Sequence, residues 1–130
     1  MVNAFIVPCT HEKVWDTNHL AGQVAAKDAY TKPAFFEWRR FAEQSGLAWF
    51  ILSTKYGLLR PDQPIDNYNV PVSRAIAHRG LHELLKRQGV EFGLEKFERV
   101  ILIDWEKFEP LVRAALPDQK QYQLKRLLYS

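Results

Sequence analysis

The chain has 130 residues, a length that suits one domain and is short for two. Its composition, 47% hydrophobic and 25% charged, is that of a folded globular protein and excludes a disordered one. One cysteine excludes an internal disulfide and fits the cytoplasm, while a net charge of +3 allows an anionic partner without requiring one.

The first predicted strand is Asn3–Pro8, a short apolar run typical of a strand buried on both faces. No basic region precedes it and no apolar run reaches the roughly 18 residues of a membrane helix, so we expect neither a signal peptide nor a membrane partner. The Ala-rich residues 20–30 predict a helix. A second helix should begin near Pro33 and run to about Gln44, before Gly46.

The middle of the chain begins with residues 47–52, which predict the second strand. Residues 53–72 then show no periodicity and contain several prolines. A structureless connection of this length is unusual in a compact domain and is often functional. Residues 73–88 predict one amphipathic helix despite Gly80, because apolar side chains fall on one side of it.

The last predicted strand is Arg99–Ile103, and a helix with Pro110 in its first turn follows it; residues 124–129 are expected to form a final helix. Apolar runs that alternate with helices are typical of βαβ units. We therefore predict a single small α/β domain of three layers, with a mainly parallel sheet of three or four strands. Right-handed crossovers allow the first strand to be central, and an extra strand or a homodimer partner would complete so small a sheet.

The carboxyl ends of the strands define the expected site. Open α/β sheets bind ligands at this edge, where the connections leave the central strand in opposite directions. Residues 9–13, 53–57 and 104–107 would all meet there. The second of these segments changes abruptly from an apolar strand to the polar sequence Ser-Thr-Lys-Tyr-Gly, which predicts the wall of a pocket.

Many of these residues form a pattern that resembles a widespread bacterial domain family of unknown function. Members of that family carry a cysteine near the first strand, a lysine after it, and a sequence close to Ile-Leu-Ser-Ala-Lys-Tyr-Gly-Leu. Thr54 stands here where alanine is usual. The matching positions are Cys9-x-x-x-Lys13, Ala26-x-Asp28-x-Tyr30, the run from Trp49 to Leu59 with Pro61, and Ile65-x-x-Tyr68.

The sequence Pro8-Cys9-x-x-x-Lys13 is also similar to a motif of archaeosine synthase, which modifies a deazaguanine base in tRNA. This resemblance implies a site that handles a nucleobase or nucleotide. It makes Cys9 a candidate catalytic residue, as nucleophile or ligand contact, because the thiolate is the reactive form of cysteine and a nearby cation favours it. The alternative is a small buried residue that ends a strand.

Two lysines are candidates to bind an anion, since each is a point charge suited to phosphate. We assign Lys55 a catalytic role, in which it stabilises developing negative charge, and Lys13 a substrate-binding role. Ser53 and the backbone amides around Gly57 would contact the substrate too, because glycine lets a backbone approach a ligand closely. The alternative is two surface lysines on an ordinary turn.

Three tyrosines and two aspartates complete the predicted site. Tyr30, Tyr56 and Tyr68 are candidates to stack on a base or to hydrogen-bond a sugar. Asp28 and Asp66 are candidate general bases or ribose acceptors. The alternatives are partly buried tyrosines, a carboxylate near a helix end and a turn residue.

A basic stripe, Arg74, His78, His82 and Lys86, follows four-residue steps and is a candidate contact for the phosphates of a nucleic acid. Its alternative is a solvated helix face. His78 and His82 are spaced to chelate a metal, but no third ligand is evident. We therefore predict no metal site, and we expect no cofactor. The lysine segments are not a P-loop, because the pattern Gly-x-x-x-x-Gly-Lys-Ser/Thr is absent.

Three functions remain open at this point. The leading hypothesis is an enzyme that acts on a nucleotide, nucleoside or modified base, at its glycosidic bond. The second is a non-catalytic module that binds nucleic acid through the basic stripe. The third is a protein-interaction domain whose polar loop is only the rim of an interface.

Overall fold

Strands and helices alternate along the chain in the computed structural model, which describes residues 3–104 and 106–116 and the backbone of residues 122–125. The strands in this part of the chain are β1 (Asn3–Pro8), β2 (Val24–Ala25), β3 (Ala48–Ser53), β4 (Gly57–Leu59), β5 (Pro64–Ile65), β6 (Arg99–Ile103) and β7 (Tyr122–Lys125). The α-helices are α1 (Ala26–Ala29), α2 (Pro33–Ser45), α3 (Val72–Ala77), α4 (Arg79–Glu91) and α5 (Glu109–Ala115).

Strand β1 is the centre of a five-stranded sheet with the order β4-β3-β1-β6-β7. Strands β3, β1, β6 and β7 are parallel, and β4 pairs antiparallel with β3. The α/β class and the central position of the first strand are therefore confirmed. Two strands of this sheet were not predicted, because β4 is only three residues long and follows β3 through a tight turn, and β7 is short and mostly polar.

Helices cover both faces of the sheet. Phe5 packs edge-on against Phe41 of α2, with ring centroids 5.3 Å apart. Phe50 stacks on Phe92, the residue after α4, at 5.5 Å. Because Phe50 is in register with Ile6, the neighbour of Phe5, the two contacts lie on opposite faces. The sheet therefore lies between two layers of helices, which is the predicted three-layer arrangement.

The predicted helix over residues 20–30 is wrong for most of its length, since only Ala26–Ala29 is helical. Tertiary partners take the backbone groups that a helix would use. Strand β2 pairs antiparallel with β5, and the N–H of Ala26 donates to the carbonyl of Gln63 over 2.8 Å. The same pairing shows that residues 53–72 are not structureless, because they contain β4 and β5.

The predicted single helix over residues 73–88 is two helices, α3 and α4, separated by His78. His78 is extended (φ −91°, ψ 103°), and its ring Nδ1 accepts the N–H of Leu81 over 2.9 Å. This cap starts a new helix where a helical pattern alone predicts continuation.

At the carboxyl end, the predicted helix over residues 124–129 is contradicted where the structure describes it, because residues 124 and 125 belong to β7. The remainder of that prediction lies outside the described residues. Within the described part of the chain, none of the helices has the length and apolar character needed to span a membrane.

Candidate functional site

Cys9 follows the last residue of β1 and begins the site. Its backbone N–H donates to the carbonyl of Leu52 over 2.9 Å, so the pairing of β1 with β3 continues past the strand end. The side chain is 8% exposed. Tyr68 and Thr54 neighbour the sulfur, and both lower the pKa of the thiol, Thr54 through its backbone as well as its side chain. The thiol therefore faces the chain that leaves β3.

Ser53 shapes the turn after β3. Its Oγ accepts the N–H groups of Lys55, at 3.1 Å, and Tyr56, at 3.0 Å. Such a side-chain bond replaces the backbone partners that the strand ladder no longer supplies. The change from apolar to polar residues at the end of β3 thus has a structural cause, since Ser53 holds the turn. The same hydroxyl also belongs to the site, because it donates to Tyr68 over 2.9 Å.

Tyr68 connects the hydroxyl groups to the thiol. Its hydroxyl oxygen lies 2.9 Å from Ser53 Oγ and 2.7 Å from the hydroxyl of Tyr30. Each hydroxyl has one proton, so when Ser53 and Tyr30 donate to Tyr68, the proton of Tyr68 is left for another acceptor. Cys9 is the neighbour whose pKa Tyr68 lowers. Burial raises the pKa of both tyrosines above the ordinary value, which keeps them neutral donors.

Lys13 lies beside this network with 4% of its surface exposed. A backbone bridge pairs Lys13 with Tyr30, and the ammonium donates to the carbonyl of His11 over 3.1 Å. The ammonium also lies 4.5 Å from the centroid of the Tyr68 ring. We call Cys9, Lys13, Tyr30, Ser53, Thr54 and Tyr68 the thiol cluster.

Opposing effects act on the two ionisable groups that carry the chemistry of the thiol cluster. Burial raises the pKa of the Cys9 thiol, whereas the hydrogen bonds from Tyr68 and Thr54 and the charge of Lys13 lower it. Burial lowers the pKa of Lys13, whereas negative charge at Cys9, Asp16 and Glu12 raises it. Once a proton leaves the sulfur, every neighbour that lowers its pKa is placed to stabilise the thiolate.

Lys55, Tyr56 and Asp66 form the rim of the site. The Lys55 ammonium lies 5.1 Å from the centroid of the Tyr56 ring, and that ring packs edge-on against Tyr68 at 5.5 Å. The Tyr56 hydroxyl accepts the N–H of Asp66 over 3.3 Å. The Asp66 carboxylate is exposed and accepts a bond from Gln23. Tyr56 and Asp66 are thus the predicted residues that stand between the thiol cluster and solvent.

The contacts of Asp28 and Gly57 are those of structural residues and not of substrate-binding ones. Asp28 is exposed and accepts a 2.8 Å bond from the guanidinium of Arg39 on α2. Gly57 is buried at φ 72°, and a Cβ there would lie 2.2 Å from Gln88 Oε1. Gln88 in turn bonds the backbone of Tyr56 and Leu58. The need for glycine at position 57 is explained by this packing.

The basic stripe is not one helical face, contrary to expectation. Arg74 lies on α3, His78 forms the break, and the ring of His82 is 2.6 Å from the carbonyl of Ile76. Lys86 lines a different cavity from Arg74. Across residues 3–104 and 106–116, no group of three or more His, Cys, Asp or Glu is arranged to hold a metal.

Two cavities matter for the location of a ligand. The larger, about 820 Å³, lies near the amino end of β3, by Ala48 and Arg60, and no predicted site residue lines it. A cavity of about 250 Å³ lies beside the thiol cluster, with Thr54, Lys55, Arg74 and His78 over an apolar floor that includes Leu81 and Leu84. We call this second cavity the cationic pocket.

Thr54 is the functional candidate that sequence reasoning passed over. The sequence marked it only as a departure from the usual alanine. Its backbone and its side chain both lower the pKa of Cys9, and the tertiary pairing of β1 with β3 is what brings the two residues together. Gln88 accepts the backbone N–H of Leu58, which lies 30 residues earlier in the chain. No local pattern in the sequence signals this role.

Known proteins that are similar to this chain identify its family but do not indicate an activity. A model of a family of unknown function, DUF6884, matches residues 5–82. The uncharacterized protein YfjM of Bacillus subtilis (strain 168) is 32% identical over 116 residues, which cover 88% of this chain and 77% of the relative. No solved structure matches the chain significantly. The expected membership in a domain family of unknown function is thereby confirmed, and the chain belongs to the DUF6884 family.

Proposed function

We propose that this protein is an enzyme that processes a nucleotide, nucleoside or modified base, with its reactive centre at the carboxyl ends of β1 and β3. The observation that carries the proposal is a buried thiol, Cys9, near a buried lysine, Lys13, whose ammonium lies 4.5 Å from the centroid of the Tyr68 ring and whose charge lowers the pKa of the thiol. Buried charges and polar groups are costly unless they are satisfied. Perturbed pKa values of neighbouring groups are typical of catalytic sites, which supports a chemical role here.

The proposed reaction breaks a glycosidic bond. The Cys9 thiolate forms a bond to the anomeric carbon while the bond from that carbon to the base nitrogen breaks, and its electron pair leaves with the base. Lys13 supplies the proton that the leaving base needs, since its lowered pKa makes it a stronger acid than a free lysine. The amine that results takes up the proton that the Cys9 thiol gives up, so the proton balance closes. Water or another acceptor then displaces the sulfur. The similarity of Pro8-Cys9-x-x-x-Lys13 to the archaeosine synthase motif supports a base as the leaving group.

The residues at the rim are assigned to substrate positioning. Tyr56 offers a ring edge and a hydroxyl next to the thiol cluster, and Asp66 offers an exposed carboxylate to a sugar hydroxyl. Tyr30 and Ser53 have no exposed surface, so their part in catalysis is to hold and polarise Tyr68.

Release of free base from a panel of nucleosides, nucleoside monophosphates and deazapurine nucleosides tests the proposal. We expect turnover by the unchanged protein and a loss of at least a hundredfold in both Cys9→Ser and Lys13→Gln. Lys32→Gln is the matched control, because Lys32 is a lysine too but is exposed, as the residue before α2. Full activity in Cys9→Ser would show that the thiol is not the nucleophile.

A second candidate function, binding of a nucleic acid, is favoured by the cationic pocket, where Lys55 and Arg74 lie together. This function predicts affinity for oligonucleotides that falls steeply as salt increases. It also predicts that Cys9→Ser binds as well as the unchanged protein.

A further inference from the structure

We infer that the cationic pocket is a phosphate subsite and that its ligand is a small phosphomonoester with a compact organic body. The pocket binds this ligand whether or not Cys9 reacts. That the ligand is also the substrate of Cys9 rests on the proposed function. Four observations support the subsite: its two cations form no ion pair with described residues, its histidine has a fixed tautomer, its volume is small, and it shares a wall with the thiol cluster.

The two cations of the pocket are available for an anion. Arg39, Arg40 and Arg113 are each neutralised by a carboxylate, and so is Lys27. Lys55 and Arg74 form no ion pair with any residue that the structure describes, although both are exposed at the rim of the same cavity. Lysine contributes a point charge and arginine a fork of donors, and both are common phosphate ligands.

His78 adds a directed donor to the pocket. Its Nδ1 accepts the N–H of Leu81, so the proton of the neutral ring is on Nε2. The cap that breaks the helix therefore also fixes the tautomer. Gly80 permits this ring position, because a Cβ there would lie 2.8 Å from His78 Cε1. His78 lines the pocket, and the ring nitrogen that is not used by the cap is an N–H donor, which suits phosphate.

The size and floor of the pocket select the rest of the ligand. Its volume of about 250 Å³ is below the roughly 300–1,000 Å³ of pockets that enclose drug-sized molecules. A phosphate and one compact ring or chain fill such a space. Leu81 and Leu84 provide an apolar surface for that body, while the cations hold the charged end. Apolar contact with a few placed polar groups is typical of small-molecule sites.

Thr54 joins the pocket to the thiol cluster. It lines the cavity, and it neighbours Cys9, whose pKa its backbone and side chain both lower. With its phosphate between Lys55 and Arg74, the ligand would have only Thr54 between its organic body and the Cys9 thiol. This contact is the structural basis for treating the two sites as parts of one binding region.

Binding of matched ligand pairs tests the subsite. Calorimetry is used with adenosine 5′-monophosphate against adenosine, ribose 5-phosphate against ribose, and inorganic phosphate alone. We expect each phosphorylated compound to bind at least tenfold more tightly than its partner. Lys55→Gln and Arg74→Gln should each weaken that binding by at least fivefold, while Lys32→Gln should leave it unchanged. The Cys9→Ser variant should bind as the unchanged protein does, so a failed reaction at Cys9 is distinguishable from a failed subsite.

Three results would overturn the inference. One is equal binding of the phosphorylated and unphosphorylated partners. Another is binding in Lys55→Gln and Arg74→Gln that matches the Lys32→Gln control. The last is an oligonucleotide without a terminal phosphate that binds more tightly than the monophosphates and displaces them, because the pocket would then serve a nucleic-acid backbone. Melting temperatures of the variants confirm that each one is folded.

Discussion

Tyr30 and Tyr68 are 38 residues apart in the chain, and their hydroxyl oxygens are 2.7 Å apart in the core. Ser53 brings a third hydroxyl to the same point, 2.9 Å from Tyr68. Buried hydroxyls of this kind are stable only when each is paired. The pairing leaves the proton of Tyr68 free to act on Cys9, whose pKa Tyr68 lowers. The reactivity of the thiol should therefore depend on a residue that sequence reasoning placed with the substrate contacts.

Removal of the Tyr68 hydroxyl is the first test of this dependence. We expect Tyr68→Phe to raise the pKa of Cys9, because the thiolate loses its strongest hydrogen-bond donor. The free energy of unfolding should fall by about 1–3 kcal/mol, since Ser53 and Tyr30 lose their acceptor. The pH dependence of thiol alkylation measures the pKa. Tyr56→Phe is the control, and an unchanged Cys9 pKa in Tyr68→Phe would contradict the proposed network.

Substitutions of Lys13 and Thr54 should raise the same pKa by less. Lys13→Gln removes a nearby positive charge, whereas Thr54→Val removes only the side-chain donor and keeps the backbone N–H. We therefore expect the Cys9 pKa to rise most in Tyr68→Phe, less in Lys13→Gln and least in Thr54→Val. Alkylation rates over a pH series give the order. A larger effect of Thr54→Val than of Tyr68→Phe would be inconsistent with it.

Alkaline pH should destabilise the fold through the thiol cluster. Burial raises the pKa of Cys9 above its ordinary 9.0 and the pKa values of Tyr30 and Tyr68 above 10.0, so the unfolded chain loses these protons first. The free energy of unfolding should then fall as pH rises past about 9. Lys13 opposes this fall, because its folded pKa is lowered from 10.5 and unfolded lysine holds its proton longer.

Urea unfolding at a series of pH values from neutral to above 10 measures this effect. In Cys9→Ser the thiol contribution is absent, so the loss of stability should set in at a higher pH than in the unchanged protein. Identical pH profiles for the two proteins would show that the thiol is not buried as described.

Alanine substitutions at two glycines separate the cost of backbone strain from the cost of a steric clash. Gly57 and Gly46 share a φ of 72°, so alanine is strained at both, by about 1–2 kcal/mol. A Cβ at Gly46 meets nothing within 4 Å, whereas one at Gly57 lies 2.2 Å from Gln88 Oε1. We expect Gly57→Ala to cost roughly 2 kcal/mol more than Gly46→Ala in chemical denaturation. Equal costs would show that Gln88 moves aside freely.

Local patterns were sufficient for the framework of the fold. The apolar runs at residues 3–8 and 99–103 are strands with the predicted bounds, and β1 is central as expected. Hydrophobic runs of this length record burial directly, and the handedness of crossovers limits how they are ordered. The same reasoning predicted that Cys9 and the turn after β3 would meet at one edge of the sheet, which the structure shows.

Only the tertiary structure decided what surrounds the thiol. The backbone bridge of Lys13 to Tyr30, the contact of Tyr30 with Tyr68 and the effect of Thr54 on the pKa of Cys9 join segments that are far apart in the chain. The break at His78 and the pairing of β2 with β5 depend likewise on side-chain and backbone bonds that no periodicity encodes. A sequence determines which residues are apolar along each element, but hydrogen-bond partners are chosen by the packing of whole elements against one another.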